Sequence, residues 1–287
     1  MEIIEVHIGN WFVRCIPEDG ARISVLRYEG QDLLTANPPS FSTPEKFYGE
    51  YETRPVYGYD DCFPTVDPCV FSDNPIGYRD HGELCWLEWQ VQVKGNSLIC
   101  SIDCPHPGAS FKRILEFSGN KLTWKFELIN TSGSKLAFLH VMHALFPLDQ
   151  IKSVQIPAFS GCVDDIHTLD LNMKYPQQVA NHLLEIQSGS YEMLLLKEIG
   201  AGLVALGFQD DFNLQISFDN ELFPTLGIWW NNAGYPDEEG LRRSECAFEP
   251  IPGTCSNLSH SFDNGVCLML EAGQSMNWEI NWEIQKR

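Results

Sequence analysis

The chain has 287 residues, 44% hydrophobic and 12% aromatic, with a net charge of −20. That is enough apolar material for a sizeable core, and the length allows one large β domain or two ordinary ones. The charge argues against nucleic acid, whose binding needs clustered Lys and Arg. It also favours a neutral ligand over a phosphorylated one, although a local arginine pair can override the global field.

No apolar run approaches the roughly 18–20 residues of a membrane span. The opening Met1-Glu2-Ile3-Ile4-Glu5-Val6 alternates like a strand rather than reading as a signal peptide. A cytoplasmic protein with no membrane partner, monomeric or homodimeric, is expected. The ten cysteines contain no C-x-x-C pair and no zinc-finger spacing, so reduced thiols are expected, with Cys100, Cys246 and Cys267 as small core residues.

Taken in order, almost every segment has the strand period. Between Pro38 and Gly82 the pattern is interrupted by a stretch rich in Pro, Tyr and Asp, including Tyr48 to Thr65. A long aromatic and acidic loop on a β scaffold suits a binding rim, with Asp61 as a candidate for holding sugar hydroxyls; a purely structural loop is the alternative.

From Trp86 to Val93, Leu87, Trp89, Val91 and Val93 share a face, and Leu98, Cys100 and Ile102 alternate on the way back from a turn at Lys94-Gly95-Asn96. Phe111 to Phe117 and Lys121 to Leu128 follow, the latter with Leu122, Trp124, Phe126 and Leu128 inward. Ala137 to Phe146 is apolar on both faces, which predicts a central strand covered on both sides. Its His140 and His143, three apart, should point to opposite faces.

A short helix is predicted over Pro176 to Ile186. Strands are predicted at Met193–Leu196, Leu203–Phe208, Leu214–Phe218, Leu226–Trp230, Val266–Leu270 and Asn277–Ile284. Short strands about ten to thirteen residues apart with Gly turns indicate an antiparallel meander. With no low-complexity linker, charge block or internal repeat, a single all-β domain over 1–287 is the expectation.

Near the end, Cys246-Ala247-Phe248-Glu249-Pro250 reads as a strand with Cys246 and Phe248 on one face and Glu245, Ala247 and Glu249 on the other. Pro250 should stop the pairing and leave Glu249 at a strand mouth, suited to a general base or simply solvated. His81, in Asp80-His81-Gly82-Glu83, and His143 are candidate acids or hydrogen-bonded core groups. Trp229 and Trp230 alternate, so one of them should face inward, and Trp229 is a candidate for stacking on a sugar. Arg242 and Arg243 could pin the Glu249 strand or bind ligand, a surface ion pair being the preferred reading, and His106, His167, His182 and His260 are read as solvated.

At these places the chain resembles the aldose 1-epimerase (galactose mutarotase-like) family. Gly20-Ala21-Arg22-Ile23 with Gly30-Gln31-Asp32-Leu33-Leu34 resembles the family's opening hairpin, and Asp80-His81-Gly82-Glu83 its first-histidine motif. His143-Ala144-Leu145-Phe146 resembles its second, Phe248-Glu249-Pro250 its Glu-Pro, and Leu270-Glu271-Ala272-Gly273-Gln274 the turn before its last strand. The matches are short, but all five fall in order over almost the whole chain.

The resemblance implies a large antiparallel β-sandwich and interconversion of the α and β anomers of a free aldose. By position, Glu249 would take the proton of the anomeric O1 hydroxyl, His143 would protonate the ring oxygen, and His81 would bind the sugar near it. Ring opening moves one proton on and one off, so an acid–base pair suffices without metal, cofactor or covalent intermediate.

The chain departs from the family in places. Members acting on hexose 6-phosphates carry an arginine where Cys85 stands, although Arg54 and Arg79 could compensate. The family's sugar-holding aspartate has no clear match among Asp210, Asp211 and Asp219, and Ala144 replaces the usual Pro or Thr. Three alternatives stay open: a hexose-6-phosphate epimerase, a non-catalytic sugar-binding or regulatory protein, and a lyase or hydrolase using Glu245 with Glu249.

Overall fold

In the computed structural model, which describes residues 2–71, 74–209 and 212–286, strands dominate and are paired antiparallel. An eight-stranded sheet forms one layer, with Ser275–Lys286 between Phe212–Phe218 and Lys121–Asn130 near its middle. The period of two dictates which side is buried: Leu122, Trp124, Phe126 and Leu128 go inward together with Trp278, Ile280, Trp282 and Ile284 of the neighbouring strand.

The layer across this core consists of two six-stranded sheets. The first ends on Tyr59–Cys62 paired to Val141–Ala144. The second contains Ser244–Ile251 paired to Thr225–Asn232, followed by Ser190–Lys197. Val141–Ala144 packs against Ser244–Ile251, and this seam between the sheets positions the site.

Some predicted elements shift. Trp86 belongs to a 3-10 turn, Leu84–Trp86, so the strand begins only at Gln90 and runs to Lys94. The apolar stretch 137–146 is three short strands, Leu136–Phe138, Val141–Ala144 and Phe146–Pro147, the last already in the second sheet. The doubly covered character holds, since Val141 to Ala144 are all buried, but the strand is the last of its sheet rather than central. Nor does Pro250 stop its ladder, which continues to Ile251 opposite Thr225. A proline is tolerated within a ladder where its nitrogen is turned away from the partner strand. Glu249 therefore sits inside the strand, opposite Gly227.

The helix forms over Pro176–Glu185, with proline at its first position. A second, Leu258–Asp263, starts where the Asn257 side chain accepts from the His260 backbone N–H. No helix among the described residues is long and apolar enough to cross a membrane. All ten cysteines are free thiols.

Asp61 lies in the core rather than on a rim. It pairs with the fully buried Arg113, accepts from the Tyr59 hydroxyl, and meets His140 Nε2 at 3.1 Å. Trp278 Nε1 donates to His140 Nδ1 at 3.3 Å, which places the His140 proton on the nitrogen facing Asp61. Burial works against the Asp61 charge, but Arg113 and the His140 hydrogen bond prevail and hold its carboxyl below the usual range.

Removing one partner of such a pair leaves a charge without compensation. Arg113→Met should cost about 3–5 kcal/mol in denaturant unfolding, and adding Asp61→Leu should recover much of the loss. Equal midpoints for the single and double variants would mean that Asp61 does not depend on Arg113.

Candidate active site

Over the seam lies a cavity of about 380 Å³. The second sheet supplies Glu249, Glu245, Trp229, Tyr191 and Met193 to it; the first supplies His143. The stretch between Pro38 and Gly82, expected as a loop but carrying the strand Tyr59–Cys62, forms much of the remaining wall through Tyr48, Tyr51, Glu52, Asp67, Asp80 and His81.

The alternation read near Glu249 holds. Glu245 and Glu249 face the cavity, while Cys246 and Phe248 enter the core. Gly227 opposite leaves the room Glu249 needs, because a Cβ there would come within 3.3 Å of the Glu249 Cβ. Trp229 lines the cavity and Trp230 is in the core. His143 and His140 point to opposite faces of their segment, one to the cavity and one to Asp61.

His143 Nε2 lies 4.0 Å from Glu249 Oε1, with both side chains almost fully buried. His81 joins them, its ring edge-on to His143 with centroids 4.8 Å apart. Tyr51 stacks on His81 at 3.8 Å, and its hydroxyl donates to Asp60 while lying 3.4 Å from His143 Nδ1. Asp60 is in turn paired to buried Arg22 at 2.8 Å. His81 Nδ1 is held by Asp80 at 2.8 Å.

The backbone of His81 is left-handed, φ 61°, an uncommon state for a residue with a side chain. The next residue is Gly82 because the chain there runs against Phe63: a Cβ would fall 2.1 Å from the Phe63 carbonyl oxygen. The close approach at Gly82 is thus to backbone, and it presents His81 to the cavity.

The charges of the three groups are interdependent. Burial opposes a charge on His81, but the Asp80 hydrogen bond and charge, with Glu249 behind them, raise its pKa above the ordinary value. Burial, and then the charges of His81 and Arg243, push His143 well below it. Two imidazolium ions cannot share this space, so the proton rests on His81. Burial raises Glu249 to about 7, with Asp67 and Asp165 contributing and His81 opposing.

Asp67 and Asp165 also line the cavity, and sequence reasoning missed both. Asp165 lies between His143 and Glu249 in the chain but is one of two adjacent aspartates in a turn, with no pattern to single it out. Burial followed by Asp165 pushes Asp67 up to about 6. Asp219 is not among the cavity residues, and Asp210 and Asp211 lie outside the described residues.

The arginines exchange roles. Arg54 donates to the Cys85 carbonyl and pairs with Asp19, outside the cavity. With Arg79 it clasps the Trp86 ring, the guanidinium carbons standing 5.2 and 5.3 Å from its centroid. Arg79 also lies outside the cavity, 3.6 Å from Glu83. Arg243, read as a surface residue, is the arginine of the cavity wall. It grips Glu52 through two bonds, at 2.6 and 2.9 Å, and Glu245 through a third at 2.8 Å.

Neither a protein-family model nor a curated protein matches this chain. Solved structures do match, and they show that the chain has the galactose mutarotase-like fold, a large antiparallel β-sandwich. A provisional aldose 1-epimerase of Escherichia coli K12 superposes with a TM-score of 0.74 at 15% identity, covering 100% of this chain and 99% of that one. A galactose mutarotase-like protein of Clostridium acetobutylicum gives 0.70 at 15% identity, over 100% and 99%. Another from Lactobacillus casei gives 0.69 at 14% identity, over 99% and 100%.

The buried carboxyl has a consequence for stability. Glu249 titrates at about 7 in the folded chain against an ordinary 4.5, so between these values the folded state keeps a proton that the unfolded chain releases. Stability therefore falls as pH rises through that window and levels off above it. Glu249→Gln should unfold with the wild type below pH 4.5 and be more stable by on the order of 2–4 kcal/mol at pH 8. Denaturant midpoints across this range check it; a variant that gains nothing at pH 8 contradicts the raised pKa.

Proposed function

We propose that this protein is an aldose 1-epimerase acting in the cytoplasm on a neutral free sugar. The observation that carries the reading is the convergence of His143 and Glu249 at 4.0 Å within one cavity. Glu249, as carboxylate, takes the proton from O1 of the hemiacetal. The ring oxygen receives its proton from the histidine pair, with His143 as the donor facing the reacting bond and His81 as the proton's resting place. Once O1 has lost its proton and O5 has gained one, the C1–O5 bond breaks to give the open-chain aldehyde. Rotation of the carbonyl group and reversal of both transfers close the other anomer.

An aromatic wall supports a sugar as the ligand. Trp229 and Tyr235 meet at 5.6 Å and 88°, with Tyr191 within 5.6 Å of both, offering apolar ring faces beside carboxylates that accept hydroxyl protons. A neutral sugar fits the charge. The one cavity arginine is engaged by Glu52 and Glu245, and among the described residues Asp67 and Asp165 have no ion-pair partner.

NMR exchange spectroscopy on free and 6-phosphorylated aldoses tests the reading. At least one free aldose should exchange anomers faster, with a rate that rises through about pH 7 as Glu249 ionises. Glu249→Gln and His143→Asn should each lower the rate by about 10²–10⁴-fold with the fold intact. Unchanged exchange in both variants would exclude the mechanism, and acceleration of phosphorylated sugars alone would exclude the neutral substrate.

A second measurement concerns the shared proton. Because the His81 charge helps keep His143 neutral, His81→Asn should raise the His143 pKa, followed through its ring-proton shifts. A His143 titration that does not move would place the two imidazoles on separate protons.

A further inference from the structure

Below the cavity floor a fourth side chain approaches the acid–base groups. Cys62, opposite Val141 in the first sheet, is buried, and no described residue hydrogen-bonds its thiol. Its Sγ and one imidazole nitrogen each of His81 and His143 lie within 4.8 Å of one another. Glu249 Oε1 is 4.0 Å from His143 Nε2.

The neighbours of the two histidines match what metal ligands need. Asp80 holds Nδ1 of His81 at 2.8 Å, and the Tyr51 hydroxyl, anchored on Asp60, stands 3.4 Å from Nδ1 of His143. Each imidazole is thereby oriented through Nδ1 by a carboxylate or a carboxylate-bound hydroxyl, which leaves Nε2 to bind an ion. Such outer partners fix the ring and strengthen it as a ligand. Tetrahedral ligands about 2.0–2.3 Å from an ion stand roughly 3.3–3.8 Å from one another. A contraction of about an ångström would close Cys62, His81 and His143 on a cation, with Glu249, 4.0 Å from His143, as the candidate for a fourth ligand. One thiolate, two imidazoles and a carboxylate form a donor set for zinc rather than for magnesium or calcium, which prefer oxygen alone.

We propose that Cys62, His81, His143 and Glu249 form a binding site for a thiophilic divalent cation of the zinc class, reached through the sugar cavity. On binding, the Cys62 thiol and the His81 imidazolium each release a proton to solvent, Glu249 binds as the carboxylate, and four metal–ligand bonds form, with no change of oxidation state. The ion occupies the lone pairs of His143 and Glu249 that proton transfer requires. Metal binding and anomer exchange are therefore mutually exclusive, a consequence that rests on the epimerase reading, whereas the site itself does not.

The test uses the full chain, stripped with chelator and titrated with Zn²⁺ by calorimetry and with Co²⁺ by absorption spectroscopy. One ion per chain is expected, with a near-ultraviolet thiolate-to-cobalt band. Cys62→Ser should lose that band and bind Zn²⁺ at least about tenfold more weakly. Zinc-edge X-ray absorption of the wild-type complex, which does not depend on any variant folding, should show one sulfur at about 2.3 Å.

If anomer exchange is found, stoichiometric Zn²⁺ should abolish it in the wild type and inhibit Cys62→Ser at least tenfold less. A cobalt spectrum or zinc edge without sulfur overturns the site, as does a Cys62→Ser titration indistinguishable from wild type. Binding without anomer exchange would overturn the epimerase reading and leave the metal site standing.

Discussion

The site depends on the close approach of two ionisable side chains that belong to different sheets. His143 comes from the last strand of one six-stranded sheet and Glu249 from the interior of a strand in the other, and the two meet over the seam at 4.0 Å. Little water reaches them, so each charge is set by its neighbours. The Asp80 carboxylate favours the imidazolium of His81 against burial; burial and then the His81 charge hold His143 neutral, and the same charge partly offsets the burial of Glu249. Of these groups Glu249, at about 7, changes its protonation near neutral pH. A small rearrangement on binding a sugar can therefore redistribute their protons, which general acid–base chemistry requires.

The strand Tyr59–Cys62 shows how one element serves both the core and the site. Tyr59 and Asp61 face Arg113, forming a sealed polar cluster behind the sheet. Asp60 and Cys62 face the other way, toward Tyr51 and the histidines. Asp61, the candidate sugar ligand, is thus one residue out of phase, and the aspartate that supports the site is Asp60. The phase could not be chosen beforehand because all four residues are buried, and polarity marks an outward face only when one side of a sheet meets water.

Where one face is polar, the pattern was legible. Lys121 to Leu128 lies within the strand Lys121–Asn130, and Glu245 and Glu249 share a face as their spacing requires. Legibility failed where tertiary contacts decide. The strand is expected to start at Trp86, yet this residue lies in a turn with two guanidinium groups against its ring. Whether an arginine lines the cavity or props its wall depends on carboxylates distant in sequence: Glu52 lies 191 positions from Arg243, and Asp19 35 from Arg54. The helix Leu258–Asp263 did carry a local sign, its Asn257 cap, but is too short for its apolar spacing to stand out.

Arg243 bears most directly on the ligand. An arginine in a cavity suggests an anion site, yet this one is bound on both edges by the protein's own carboxylates, Glu52 and Glu245. Burial acts to discharge it, while the two carboxylates more than compensate and hold it cationic. A phosphate would have to displace one of them and leave that carboxylate buried without a partner, at a cost of the kind that makes broken buried pairs unfavourable. In its present arrangement the guanidinium instead orients Glu245, which lies 3.4 Å from the Trp229 indole N–H. The cation thus fixes the carboxylate and ring that border the cavity. A cavity with its cation engaged in this way and its remaining aspartates without ion-pair partners is better suited to a hydroxyl-bearing neutral ring than to a phosphate.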